Sequence, residues 1–195
     1  MRVFLTILFL IFSIQLCAKA DNIRDFQIEG ISIGDSLLKY FSIDEIKRNT
    51  WDYYNNKKYT PLQFEKPSFA KMYDALDIAY KTNDKEYKIE KLTGVILYKD
   101  KKKIKQCYKK MDSILADIRN NFSNLDESKK YNSVHTGIDD GGKSRVTSVY
   151  FYFKNNDMIA IQCYDYSEQA GDVNHLAVSL NSSDFAIWLS TEAYN

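Results

Sequence analysis

Arg145-Val-Thr-Ser-Val-Tyr-Phe-Tyr-Phe-Lys-Asn-Asn-Asp-Met-Ile-Ala-Ile-Gln-Cys-Tyr164, with Val173-Asn-His-Leu-Ala-Val-Ser-Leu180 soon after it, is the stretch whose reading decides the fold. Val149, Phe151 and Phe153 alternate with Ser148, Tyr150 and Tyr152, the period-two pattern of a half-buried strand. Met158 to Tyr164 alternates again. A turn over Asn155-Asn156-Asp157 joins the two runs, and its length sets which side chains share a face, because a slip of one residue turns a whole strand over. A three-residue turn puts Val149, Phe151 and Phe153 on the face of Ile159, Ile161 and Cys163, with an Asn or Asp in the left-handed conformation such turns need. The apolar match selects that turn. A third strand, Val173 to Leu180, adds Leu176, Val178 and Leu180 to the same face. Tyr150, Tyr152, Gln162 and Tyr164 then look outward.

That apolar face needs a cover. Lys101 to Phe122 supplies one: Ile104, Cys107, Tyr108, Met111, Ile114, Leu115, Ile118 and Phe122 recur at spacings of three and four, the stripe of an amphipathic helix. Laid against the sheet, this helix turns Cys107 toward the interface into which Cys163 also points. The pair is therefore expected as a disulfide, and the alternative is two buried free thiols. Lys101, Lys102 and Lys103 open the helix, where cations oppose the helix dipole; Asp100 offsets them, and the run reads as a solvated helix start.

The chain opens with Arg2, a nearly unbroken apolar run from Val3 to Leu16, and Cys17-Ala-Lys-Ala20. A basic end, a short apolar core and an A-x-A ending are the pattern of a cleavable secretory signal, expected to span residues 1–20. Cys17 raises lipid attachment as an alternative, although Gln15 and Leu16 stand where such a site wants small residues; a retained anchor is the other. The run is too short for the roughly 18 or more residues of a spanning helix, so no transmembrane helix is expected after cleavage. Loss of Arg2 and Lys19 changes the formal charge from +1 to −1. A near-neutral chain lacks the surplus of Lys and Arg that phosphate backbones require, which argues against nucleic acid. Residues 21–195 suit one domain with a real core. The expected location is the periplasm or exterior of a bacterium, an oxidising compartment in which the paired cysteines fit.

Elsewhere the signals are shorter. Phe26 to Gly34 reads as a strand with a glycine break. Asp35 or Ser36 caps a short helix carrying Leu37, Leu38 and Phe41, and Ser42-Ile-Asp-Glu45 has the capping-box spacing. These place short helices near residues 35–48. Asn49 to Pro67 has no period and reads as an irregular loop pinned by its rings. Phe69 to Tyr80 fits a helical face and a strand face alike; with Thr82-Asn-Asp84 and the strand-like Tyr87 to Tyr98 after it, a hairpin is the better reading. Gly94 inside that second strand suggests a bulge. Ser123 to Ser144 reads as a polar connection, and Asn181-Ser-Ser-Asp184 caps a last short helix near 183–193. The fold expected is α+β: an antiparallel sheet of about five to six strands, the 101–122 helix across one face, and short helices at the ends.

Two motif matches bear on chemistry. Gly137-Ile-Asp-Asp-Gly-Gly-Lys-Ser144 has P-loop spacing, but a strand follows it where phosphate binding needs a helix, and Asp139 and Asp140 would repel phosphate. No nucleotide is expected. Gly34-Asp-Ser-Leu37 with Asp172-Val-Asn-His175 resembles the nucleophile block and the C-terminal acid–base pair of the GDSL (SGNH) hydrolases. That resemblance implies a doubly wound α/β esterase with Ser36 as nucleophile, His175 as base and Asp172 as orienting acid. The family's G-x-N-D block has only Lys154-Asn-Asn-Asp157 as counterpart, without the glycine. Read from the residues alone, Asp35-Ser36 is a helix cap and His175 an outward strand position. His135 and His175 are the sole histidines and have no ligand spacing, so no metal and no cofactor are expected. The remaining candidate is the outward face: Tyr150, Tyr152 and Tyr164, with Tyr166 nearby, each with an apolar ring and a polar tip. The function expected is a non-catalytic binding module for another envelope protein, a peptide or a glycan. The GDSL-like hydrolase is the alternative.

Overall fold

Alternation in Arg145–Asp165 produces a hairpin, and its register follows from where the large apolar side chains meet. A computed structural model describes residues 21–122, 124–135 and 142–195. In it Phe151 stands opposite Ile159 and Val149 opposite Ile161. On the third strand Leu176 faces Cys163, Val178 faces Ile161 and Leu180 faces Ile159. The inner and outer faces are those read from the pattern. The turn closes one residue earlier than Asn155–Asp157, however. The Phe153 N–H donates to the Asp157 carbonyl at 2.9 Å, leaving Lys154 to Asn156 as the loop. Asn156 takes the left-handed conformation at φ 65°, where an Asn side chain is tolerated. Asp157 is thereby freed for another bond: its carboxylate accepts from the Ser183 N–H at 2.8 Å.

Eight strands are described, more than the five to six expected. They are β1 (Tyr59–Glu65), β2 (Ala75–Lys81), β3 (Ile89–Tyr98), β4 (Asp126–Glu127), β5 (Tyr131–Val134), β6 (Arg145–Tyr152), β7 (Met158–Asp165) and β8 (Asn174–Asn181). All pairings are antiparallel. The order is β1-β2-β3-β8-β7-β6-β4, with β5 also on β6. The surplus comes from segments read as loops. β1 lies inside Asn49–Pro67, and its Pro61 is tolerated because β1 is an edge strand. β4 and β5 lie inside Ser123–Ser144 and are exposed along their length, so no buried face imprints an alternation on their sequence. Phe26–Gly34, expected as a strand, makes only the isolated Ile28–Ile31 bridge. Within Phe69–Tyr80 the strand begins at Ala75. The P-loop-like stretch lies in large part outside the described residues, as does the expected signal at 1–20.

Among the described residues three helices accompany the sheet: α1 (Ile43–Arg48), α2 (Ile104–Asn121) and α3 (Ser183–Thr191), with 3-10 turns at Ile23–Asp25, Leu37–Lys39 and Lys101–Lys103. Ser42 and Glu45 form the reciprocal capping box read from their spacing, and Ser182 caps α3. Asp100 accepts from the Lys102 N–H at the start of the lysine run, while Lys101 donates to the Ser167 carbonyl at 2.7 Å. Along α2, Cys107, Met111, Leu115 and Ile118 are buried. They pack on β7 and β8, and Cys107 is joined to Cys163, with Cα atoms 6.0 Å apart. Ile28, Ile31, Leu37 and Ile46 from the N-terminal segments fill the same face toward β1–β3. No helix among the described residues is long and apolar enough to cross a membrane.

The irregularity in β2–β3 falls at Ala79–Tyr80 rather than at Gly94. Gly94 has a different reason. The Tyr73 ring lies across it, and a Cβ there would come within 2.5 Å of that ring. Tyr73 is held in place by its backbone N–H, which donates to Glu29 at 3.0 Å.

Two outcomes follow. Replacing Cys107 and Cys163 together by serine lowers the unfolding free energy by about 2–5 kcal/mol, since the crosslink removes loop entropy from the unfolded chain. A urea midpoint equal to that of the oxidised wild type would show that the link contributes nothing. Gly94→Ala costs about 1–3 kcal/mol through overpacking; the check is its midpoint beside that of Gly94→Ala/Tyr73→Ala, where the clash is gone and the Gly94→Ala increment disappears.

Candidate functional site

Antiparallel pairing aligns the outer-face residues in rows across the sheet. One row runs Asp77, Thr93, Ser179, Ala160, Tyr150 from β2 to β6. The next, toward the α3 end, runs Ala79, Lys91, Asn181, Met158, Tyr152, and the one on the other side carries Val95, Ala177, Gln162, Ser148. Small side chains occupy the middle and tyrosines the β6 side. The large apolar residues of the same strands point the other way, into the α2 core.

At the opposite edge the face is covered. Phe185 and Trp188 of α3 pack with Tyr54, Tyr59, Ala79 and Ala193 into a second, smaller core. The Trp188 ring stands 4.7 Å from that of Tyr59 and 4.9 Å from that of Tyr54. The start of α3 is tied down by Asp157 at Ser183 and by Lys81, which pairs with Asp184 at 2.9 Å. Between this cover and the tyrosines lies a basin of about 730 Å³, within the range of small-ligand sites. Its floor includes Thr93, Ala160, Ala177 and Ser179; its walls include Ile187 and Leu189 on one side and Tyr150 and Tyr152 on the other. A broader trough of about 940 Å³ adjoins it past His175, but charged side chains of both signs, among them Asp74, Lys99, Asp100 and Lys103, dominate its lining. The basin is lined by aromatic and aliphatic side chains with Asp77 and Lys91 as its charged acid and base, closer to the apolar surface with a few placed polar groups expected of a binding site.

The polar groups of the basin are mostly paired. Thr93 donates to Ser179 at 2.8 Å, Gln162 to Ser148 at 3.1 Å and Tyr164 to Gln162 at 3.3 Å. Asp77 accepts from Gln63 at 3.2 Å. Lys91 is the exception. It stands directly across from Asn181, and its ammonium is pushed down from the ordinary lysine value by burial, against a partial upward pull from Asp77.

The expected tyrosines do not all share one place. Tyr150, Tyr152 and Tyr164 line the basin, and the Tyr150 and Tyr152 rings are 6.4 Å apart. Tyr166 is buried and lines the adjoining trough instead. It joins Tyr164, His135 and His175 in a cluster of rings, where Tyr164 stacks on His175 at 4.3 Å. Burial raises the Tyr164 phenol well above its ordinary value and the Tyr166 phenol to about 12, so both remain hydrogen-bond donors at neutral pH. The same burial holds the His175 imidazole below its usual value.

The hydrolase residues are not assembled. The Ser36 hydroxyl donates to the Glu86 carbonyl at 2.6 Å and accepts from the Leu38 N–H as a helix cap. Its backbone pairs with Lys88. His175 sits between Leu97 and Tyr164 in the sheet, and its Nδ1 faces the Val173 carbonyl at 3.0 Å rather than Asp172. The antiparallel sheet also departs from the doubly wound fold that the resemblance implies. Among the described residues no group of three or more His, Cys, Asp or Glu could hold a metal ion.

Lys91 and Asn181 are not among the sequence candidates, because Asn181 reads as part of a helix-cap signal and Lys91 lies in a segment read only as a strand. The strand parity of Ile89–Tyr98 was the available signal: Lys91 alternates with Leu92 and so must leave the α2 core. Compared with known proteins, the chain matches no family model, no curated protein and no solved structure.

The His175 environment has a consequence for stability. Its folded value lies below the ordinary 6.5, so the unfolded chain takes up the proton first, and stability is lost as pH falls from about 6.5 toward the depressed value. Thermal melts between about pH 5 and pH 7 will show this slope in wild type and a flatter one in His175→Gln; parallel slopes would assign the loss to other groups.

Proposed function

We propose that the protein is a non-catalytic binding module exported to the bacterial cell envelope, and that the basin on the outer face of the sheet receives a peptide, a glycan or a segment of another envelope protein. The observation that carries this reading is the division of that face. α3 and Tyr54 cover one end with a packed aromatic core, while the rest is a hollow floored by small side chains and bordered by Tyr150, Tyr152 and Tyr164. Tyrosines on a rigid strand present large amphipathic surfaces at little entropic cost, which favours recognition. The apolar run ending at Ala18-Lys-Ala20 supports export, and the Cys107–Cys163 link suits an oxidising compartment. A binding role also fits a molecule in which the reactive-looking side chains, Ser36 and His175, are each engaged in structural bonds.

The test is a triple substitution, Tyr150, Tyr152 and Tyr164 to Ser, compared with wild type by thermal melting and by titration against fractionated envelope peptides and glycans. Loss of three ring contacts weakens binding by at least about tenfold if each is worth around 0.5–1.5 kcal/mol. A folded triple variant that binds the same fractions as tightly, or a wild type that binds none, would overturn the reading.

A further inference from the structure

Lys91 is an uncommon residue for its position. It lies at the middle of the sheet, on β3, between Ala79 of β2 and Asn181 of β8, and lines the basin. Among the described residues its ammonium has no hydrogen-bond acceptor and no ion pair within 4.0 Å, and the Asn181 side-chain amide across from it is likewise without a partner. The neighbouring carboxylates are used elsewhere. Glu90 and Asp184 pair with Lys81, Asp157 accepts from Ser183 and Asn155, and Asp77, one row away, accepts from Gln63. Of the remaining members of the row, Ala79 and Met158 offer no acceptor of consequence, and Tyr152 on β6 stands three inter-strand spacings from β3. A cation is therefore held in a hollow with its donors unspent. Such an arrangement disfavours the charged form, in keeping with the downward push on Lys91.

From the reading of the basin as the binding site for a peptide, we propose that Lys91 and Asn181 form an anchor for the terminal carboxylate of a peptide, an amphipathic monoanion at its apolar C-terminal residue. The body of the ligand lies over Ala160 and Ala177, between the Tyr152 ring and Ile187. An ammonium and a primary amide side by side offer donors to both oxygens of one carboxylate. A neutral ligand would leave the ammonium desolvated and unpaired, a worse state than an ammonium open to solvent. A dianion would meet a single cation, and the Asp77 carboxylate in the next row would oppose its second charge. The apolar half of the ligand is called for by exposed apolar surface at the border of the basin: Ile187 and Tyr152 line it and are exposed, and so is Tyr194 at its rim.

The experiment uses the disulfide-linked protein, with the Lys91 side-chain ε-methylene and the tyrosine ring signals followed by NMR. Phenylacetate is the monoanionic probe. Phenethyl alcohol, phenethylamine and phenyl phosphate are its neutral, cationic and dianionic counterparts. Phenylacetate is expected to shift the Lys91 and Tyr152 signals together and saturably, and at least about tenfold more tightly than the other three, the margin of one charge-assisted hydrogen bond. Lys91→Met, which keeps the length of the side chain and removes the charge, should lose at least about tenfold in phenylacetate affinity. Equal binding of the alcohol or the amine, or undiminished binding to Lys91→Met, would overturn the anchor while leaving the basin as a binding site. Silence of Lys91 toward all four up to about 10 mM, beyond the weakest affinity worth assigning, would also overturn it, and the envelope-fraction titration then judges the basin by itself. The charge comparison on wild type does not depend on the variant folding.

Discussion

The structure depends on one docked surface: the apolar stripe of α2 against the aliphatic face of β7 and β8. Cys107, Met111, Leu115 and Ile118 meet Ile159, Ile161, Cys163, Leu176 and Val178, and all of these are buried. Burying about ten such side chains supplies most of what holds the sheet to its cover. The Cys107–Cys163 bond fixes the depth at which the helix lies, because the two cysteines sit within the interface and not at its edge. Once α2 occupies that face, every alternate residue of β6, β7, β8 and β3 must point the other way. The content of the outer face is thus set by the requirements of the inner one.

This explains why part of the architecture was legible in the sequence and part was not. The hairpin register, the third strand and the long helix are written in strong periodicities, since each element buries a continuous face. Ser42 with Glu45, and Ser182 before α3, were legible because caps use local chemistry. β1, β4 and β5 were not. β1 begins in a run of aromatics and contains Pro61, which at an edge removes no needed ladder bond but hides the strand from a pattern reading. β4 and β5 bury nothing. Gly94 reads as a bulge but lies in regular register; the reason for the glycine is the ring of Tyr73, brought over it from a turn before β2, and no spacing rule carries such information. The site divides in the same way. The outward tyrosines followed from parity, whereas the far wall of the basin depends on α3 folding back across the sheet, a tertiary event. Tyr166 follows from parity as well, but lies past the point where the face turns into the trough.

The resemblance to the hydrolases fails for a topological reason. Ser36 belongs to a segment that caps a short helix and bonds to the β2–β3 connection, on the side of the sheet that α2 and the N-terminal isoleucines fill. His175 belongs to β8 and projects from the opposite face, against Tyr164. Ser36 pairs beside the start of β3 at Lys88 and His175 beside its end at Leu97, about 30 Å apart along the strand, whereas a nucleophile and base must be within hydrogen-bond reach. Short motifs carry the right residue types, but only a fold that brings strand ends together can assemble them.

The basin exists because the outer face is wider than its cover. From β1 to β6 the sheet spans five inter-strand spacings, about 24 Å at 4.8 Å each. A nine-residue helix such as α3 is about 14 Å long and about 10 Å across. One such helix, tied at its start by Lys81 and Asp157, can seal only the edge where Tyr59 and Tyr54 rise to meet Trp188. A sheet face left over in this way has two stable ends: polar side chains that water solvates, or a shape that something else fills. The sequence uses the first toward the trough, where charges of both signs gather. It uses the second in the basin, where Ala160, Ala177, Ser179 and Thr93 are too small to fill the space. A lysine stands in the row beside them, across from an asparagine, and the carboxylate in the next row, Asp77, already accepts from Gln63; it is the group whose charge a carboxylate from outside the chain would balance.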